Sequence, residues 1–247
     1  MISSKKKLLL LHSSNDLYGA SKIFLQLIDL LTKNGFDVHI IIPEKGMLDD
    51  FLIKKDIKIE YLELGVLRKK YLNPLGLINR LVANVKAIAF LSKYIKDHSI
   101  DLVYTNTSTI LSGGIAAKRT GVPSLFHIHE VPTGNKLYEF FSGKIINWYS
   151  SKVLTVSNSV KKHWLKYIDD KKIERIYNGI IFSKTDSLVE LERDQDDFVI
   201  TSVARIIPYK GHKYLIDIAD ELIKKSTKFK FLIVGDTLSS YVSYEKS

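Results

Sequence analysis

No cysteine occurs in the 247 residues, which excludes structural disulfides, thiolate metal sites and thiol nucleophiles. The same absence fits a reducing cytoplasm. A secretory leader is imitated by Met1-Ile-Ser-Ser-Lys-Lys-Lys-Leu-Leu-Leu-Leu-His12, with its basic start and apolar run. The run is short and no small-residue cleavage site follows, so it reads as a first buried strand. No stretch approaches the ~20 apolar residues of a membrane-spanning helix. The first strand–loop–helix holds one glycine and no G-x-G-x-x-G, which removes the phosphate turn a nicotinamide site needs. Nor is there a nucleic-acid-binding motif. Acids are the scarcer charge: 27 Asp and Glu against 37 Lys and Arg give a net charge of +10. With dispersed lysines, that excess points to phosphorylated substrates and an anionic membrane surface, not to nucleic acid.

What is present is globular. Hydrophobic residues make up 45% of a chain long enough for one large domain or two small ones. Lys7 to His12 reads as strand one, and a helix capped by Ser21 runs to about Asn34 with Ile23, Leu27, Leu30 and Leu31 inward. Strand two is Phe36 to Ile42, a short helix lies within Gly46 to Lys55, and Ile57 to Leu62 alternates as strand three. Arg68-Lys-Lys-Tyr-Leu72 is a basic loop before a long helix from about Pro74 to His98. Strand four, Asp101 to Asn106, ends in Thr105-Asn-Thr-Ser108, and a helix containing Gly113 and Gly114 leads to strand five, Ser124 to His129. The repeating βα pattern predicts a parallel sheet, whose ligands bind outside the strands' carboxyl ends.

Three stretches carry chemistry. In His127-Ile-His-Glu130, alternation puts His127 and His129 on one strand face with Glu130 at its end. A His-x-His pair can be half a zinc site, but no further ligand follows at matching spacing. Lys136 to Ser150 is an aromatic-rich helix with lysines near both ends. It packs on the core or, with Trp148, Tyr149 and the basic Arg68-Lys-Lys70, meets a membrane interface. Thirdly, Phe198 to Val203 is a β-branched run that reads as a buried strand. Lys213 to Ile223 is a helix with Leu215, Ile218, Ala219 and Leu222 on one face. Between them, Arg205, Lys210 and Gly211 stand at a strand's end and a helix's start, where two cations and unpaired N–H groups suit a diphosphate.

Val203-Ala-Arg-Ile-Ile-Pro-Tyr-Lys-Gly211 resembles the G-R-x-x-x-x-K-G segment of family 4 glycosyltransferases, retaining enzymes of GT-B architecture, with Ala204 in place of the usual Gly. Further segments match in the same order over nearly the whole chain. Tyr18-Gly-Ala-Ser21 resembles the first-loop G-G-A, His129-Glu130 the H-[DE] after the same strand, and Ser157-Asn-Ser-Val-Lys161 the V-S-x-x-x-K/R segment. Ile173 to Ile180 resembles I-x-N-G-[VI], and Val234-Gly-Asp236 the V-G-x-G. The resemblance implies an α/β, GT-B-like fold: one complete Rossmann-like domain with a parallel sheet (residues 1–182), an acidic linker (183–197) and a partial second Rossmann-like unit (198–247). It implies transfer of a sugar from a nucleotide-diphosphate sugar to an acceptor hydroxyl in cell-surface glycan or polysaccharide synthesis, with no cofactor and no metal. Arg205 and Lys210 would stabilise the departing diphosphate, with Gly19 and Gly211 on the donor side. His129 would be the active-site histidine, and Tyr18, Asn106 and Glu130 would line the acceptor side across a shared crevice. Asp194-Gln-Asp-Asp197 imitates a metal-binding D-x-D but reads as a solvated connector.

The E-x(7)-E segment of that family is missing, and residues 198–247 supply two strands and one helix. We therefore expect a chain truncated within its donor-binding domain, inactive or weak alone. The alternatives are a non-catalytic half that binds acceptor, membrane or a complementary polypeptide, and a sugar-nucleotide epimerase. The expected acceptor is a growing glycan or its lipid carrier, met in the cytoplasm at the membrane's inner face.

Overall fold

The computed structural model describes residues 5–55, 57–66, 71, 73–132, 136–181, 194 and 196–237. The chain forms two compact units, Met1–Phe182 and Ser183–Ser247. The basic Arg68-Lys-Lys70 and most of the expected linker lie outside the described residues.

In the first unit β1 (Lys7–Leu11), α1 (Gly19–Lys33), β2 (Asp37–Ile42), α2 (Asp49–Ile53), β3 (Lys58–Tyr61) and α3 (Pro74–Asp97) come first. They are followed by β4 (Leu102–Thr105), α4 (Ser112–Thr120), β5 (Ser124–Ile128), α5 (Lys136–Tyr149), β6 (Lys152–Thr155), α6 (Asn158–Trp164) and β7 (Ile173–Arg175). The seven strands form one parallel sheet in the order β3-β2-β1-β4-β5-β6-β7. This is a doubly wound order, and it reverses direction between β1 and β4.

The central strands are apolar runs because both of their faces are covered. The two-residue period of β1 sends Leu8 and Leu10 into a cluster with Phe24, Ile28, Leu48 and Leu52 of the α1–α2 region. It sends Leu9 and Leu11 the other way, against Leu91, Tyr94 and Ile95 of α3 and Ala116 and Ala117 of α4. A third cluster joins Phe126 and Ile128 of β5 to Ile146 of α5 and Trp164 of α6.

Several expectations are corrected. Helix α1 starts at Gly19 with Tyr18 as its cap, so Ser21 lies inside the helix; its hydroxyl bonds His12 and Asp16 instead. The buried residues of α1 are Ser21, Phe24 and Ile28, while Leu30 is 60% exposed because it points away from the sheet. The helix expected within Gly46 to Lys55 shortens to α2, since Asn15 and Asp49 hold Gly46 to Leu48 in a turn. Helix α3 is, by length and composition, apolar enough to cross a membrane, contrary to the expectation that no stretch approaches that. One side of it packs on the core through Ala83, Ala87, Leu91, Tyr94 and Ile95.

Among the described residues the second unit is one βαβ repeat: β8 (Phe198–Val203), α7 (His212–Lys225) and β9 (Phe229–Val234). The strands pair in parallel from Phe198 with Phe229 to Val203 with Val234. β8 was expected to be buried, yet Phe198 and Val203 are 63% and 76% exposed, and Ile218 of α7 is 53% exposed. A two-stranded sheet with one helix has too few layers to cover them.

Candidate functional site

In the first unit the polar residues gather where β1, β4 and β5 end, at the reversal point of the strand order. β1 delivers His12, β4 delivers Asn106, and β5 delivers His127, His129 and Glu130. Asn106 is the hub, 2% exposed. Its Oδ1 accepts a hydrogen bond from His129 Nε2 at 2.9 Å and from the Tyr104 hydroxyl at 3.3 Å. Its Nδ2 donates to His12 Nδ1 at 3.1 Å. His12 Nε2 then donates to Ser21 Oγ at 3.0 Å, and Ser21 Oγ donates to Asp16 Oδ1 at 2.7 Å. Every proton in this chain has a defined place. The backbone N–H of Tyr18 also donates to Asp16 Oδ1, at 3.0 Å, so the loop before α1 hangs on the same carboxylate.

The histidines are neutral at ordinary pH. Burial lowers His12 to about 4, opposed by Asp16 and assisted by His129. Burial and His129 lower His127 to about 3. Burial also lowers His129, with Glu130 pulling the other way. The rings of His127 and His129 lie 4.3 Å apart, as strand alternation predicts. His127 Nδ1 donates to the Tyr104 hydroxyl at 2.5 Å, and burial raises that phenol. A neutral His129 with Nε2–H held by Asn106 keeps the lone pair on Nδ1.

Glu130 is placed beside His129, but its carboxylate is occupied. Oε1 accepts from Thr107 Oγ1 (3.0 Å), Ser108 N (2.9 Å) and Ser108 Oγ (2.6 Å). Oε2 accepts from the His129 backbone N–H at 3.2 Å. Glu130 thus clamps the loop after β4. Gly19 is the first residue of α1, and Tyr18 beside it is 37% exposed. Beyond β2 and β3 a polar cleft of about 300 Å³ is lined by Glu44, Glu63, Tyr71 and Arg80, among others.

The expectations named Asn106, His129 and Glu130, and the structure brings these three together. It adds His12, Asp16, Ser21 and Tyr104, which no motif marks, and joins His127, which the His-x-His alternation had singled out, to Tyr104; His12 had one signal, a polar residue at the end of an apolar strand.

In the second unit Arg205 is half-buried just beyond β8, Lys210 is exposed, and Gly211 caps α7 with φ 77°. Ala204 N bonds Val234 O and Ile206 N bonds Asp236 O, both at 3.0 Å. These bonds lash the Arg205 loop to the segment after β9. Gly235 makes the approach feasible, because a Cβ there would stand 1.9 Å from Ala204 O. Thr237 Oγ1 adds a bond to Ile206 O at 3.1 Å. Asp196 pairs with Lys228 at 3.0 Å and Asp197 with Lys230 at 4.0 Å. Among the described residues no three His, Cys, Asp or Glu side chains are grouped to hold a metal ion.

A UDP-Gal:α-D-GlcNAc-diphosphoundecaprenol α-1,3-galactosyltransferase of Escherichia coli is 28% identical over 89% of this chain, and the match spans 59% of that enzyme. The fold is that of HepE of Anabaena, solved with UDP and glucose, at a TM-score of 0.70 and 20% identity over 98% of this chain and 64% of that one. It is also that of a glycosyltransferase of Rickettsia africae, at a TM-score of 0.74 and 22% identity over 98% of this chain and 63% of that one. The chain therefore spans less than two thirds of the length of these relatives. The profile of Glycosyltransferase Family 4 matches residues 18–184, well over half of the chain, and the protein belongs to that family.

Proposed function

We propose that this protein transfers a sugar from a nucleotide-diphosphate sugar to a hydroxyl of a cell-surface glycan or its lipid carrier, with retention and without a metal ion. The observation that carries this reading is the network fixing His129 at the strand-order reversal of a family 4 fold. The E. coli relative, which by name uses UDP-galactose and a diphosphoundecaprenol acceptor, supports a sugar nucleotide as donor and a lipid-linked glycan as acceptor. The cytoplasm, at the inner membrane face, is the compartment where such substrates would meet.

In this reading the two units have separate jobs. Arg205 and Lys210 neutralise the departing diphosphate, an interaction that strengthens as the sugar–phosphate bond breaks. The N-terminus of α7 behind Gly211 adds backbone donors. His129, neutral and with Nε2–H turned toward Asn106, presents its remaining face to the sugar and the acceptor hydroxyl. Glu130 acts through the Thr107–Ser108 loop. The polar cleft lined by Glu44, Glu63 and Arg80 offers hydrogen-bonding groups to acceptor sugars.

The test is transfer from UDP-sugars and GDP-sugars to a lipid-linked glycan, with the product anomer read by NMR and EDTA present in a parallel reaction. Retained configuration and EDTA-insensitive turnover are expected. Donor consumption without any acceptor would favour an epimerase or hydrolase, and an inverted product would refute retention.

A further inference from the structure

Helix α3 has a surface that the core does not use. Ala83, Ala87, Leu91, Tyr94 and Ile95 are buried against the sheet side. On the opposite side Leu75, Leu77, Ile78, Leu81, Val82 and Val85 are 48–80% exposed. Positions 75, 78, 82 and 85 repeat at helical spacing, so they form a continuous outward stripe over three turns. Further along, Lys86, Lys93 and Lys96 are exposed on the outward half of the helix. Lys93 is paired with Asp97, the residue that ends α3.

The charge pattern selects the occupant. From Leu64 to Lys96 the sequence has no Asp or Glu, yet it carries Arg68, Lys69, Lys70, Arg80, Lys86, Lys93 and Lys96. Arg80 is used internally, buried over the Tyr71 ring and paired with Glu63, and Lys93 pairs with Asp97, which leaves Lys86 and Lys96 on this helix for an outside partner. A polypeptide groove for this helix would need an apolar floor and a matching acidic end. An anionic bilayer supplies both along its whole surface: an acyl layer for the stripe and phosphates for the lysines.

We propose that the outward face of α3 docks this protein on an anionic phospholipid membrane, its first three turns sunk into the acyl boundary and Lys86, Lys93 and Lys96 at headgroup level. This deepens the lipid-carrier reading above by naming the face that meets the bilayer, and its test needs no transferase activity. It also puts the contact on α3 and not on α5, for which core packing and membrane contact were the two sequence readings, although α5 exposes Phe141 (60%) and Trp148 (73%). Helix α5 carries Glu139 in its first turn and lacks the acid-free run.

The test is cosedimentation of the whole chain with large vesicles of phosphatidylcholine alone or mixed with phosphatidylglycerol, at low and high salt. Binding to the mixed vesicles should exceed that to the neutral ones by about tenfold or more, and high salt should weaken it. The triple substitution Ile78→Gln/Val82→Gln/Val85→Gln, all at exposed positions, should lower binding by about tenfold or more with an unchanged circular dichroism spectrum. Lys86→Gln/Lys96→Gln, which leaves every apolar residue in place, should lose roughly fivefold per lysine and flatten the salt dependence. Phe141→Gln/Trp148→Gln should change neither. Binding that survives both sets of α3 substitutions, or that follows the α5 pair, overturns the proposal. So does an absence of vesicle binding, including the case where α3 instead mediates self-association that the triple variant abolishes.

Discussion

Asn106 and His129 lie 23 residues apart in sequence, each just past the end of one of two neighbouring strands, and one 2.9 Å hydrogen bond from His129 Nε2 to Asn106 Oδ1 sets the imidazole's tautomer. The same amide turns its other end to His12, so a single side chain orders protons on two histidines.

Asn106→Asp preserves the acceptor oxygen but places a carboxylate against His129. A negative neighbour favours the imidazolium, so the acid limb of the pH–activity profile should move to higher pH. Asn106→Ala should lower kcat by about 10- to 100-fold with little change in donor binding. Steady-state kinetics across pH 5 to 8, with donor affinity measured separately, checks both. An unshifted profile in the Asp variant would remove Asn106 as the residue that positions His129.

Stability should fall on acidification. His12 and His127 have native values depressed to about 4 and about 3, below the ~6.5 of an unfolded histidine. The unfolded chain therefore binds more protons between those values. The stabilisation is complete above ~6.5 and is lost as pH falls toward the native values. Urea unfolding near pH 7.5 and pH 5 should show a lower midpoint at pH 5, and His12→Gln should flatten part of that difference.

Glu130→Ala leaves Ser108 N–H, Ser108 Oγ and Thr107 Oγ1 without their shared acceptor. The expected cost is about 1–3 kcal/mol, because buried donors lose a charged partner. Thermal unfolding reads it, and Glu130→Gln should recover part of the loss. An unchanged midpoint in the Ala variant would mean the loop does not depend on this clamp.

Arg205→Ala/Lys210→Ala should abolish binding of UDP- and GDP-sugars in isothermal titration. Arg205→Lys should not restore full affinity, since one ammonium cannot reproduce a guanidinium's paired donors. Binding that survives the double variant would remove the diphosphate assignment.

Gly235→Ala drives a methyl into the Ala204 carbonyl, 1.9 Å away. The β8 and β9 loops must separate, taking Arg205 with them. Hydrogen exchange should rise within residues 198–237 and stay unchanged within residues 5–181, with nucleotide affinity falling.

By itself, the sequence determined the alternation of strands and helices in the first unit, because apolar runs and helix breaks are local. The strands β1 to β5 appear within a residue or two of their expected places, and α3 spans Pro74–Asp97 where Pro74 to His98 was read. It also placed His129-Glu130 and Arg205 to Gly211 at strand ends by their order along the chain. Only the tertiary structure decided what those residues touch. The strand order puts β1 beside β4 and β4 beside β5, and that adjacency creates the path from His129 through Asn106 and His12 to Asp16. It likewise turned Ser21 from a helix cap into a link in that path and filled Glu130's oxygens with loop donors. The exposed stripe of α3 was hidden for a related reason: a helix that is apolar on both sides shows its outward face only once the sheet has claimed the other.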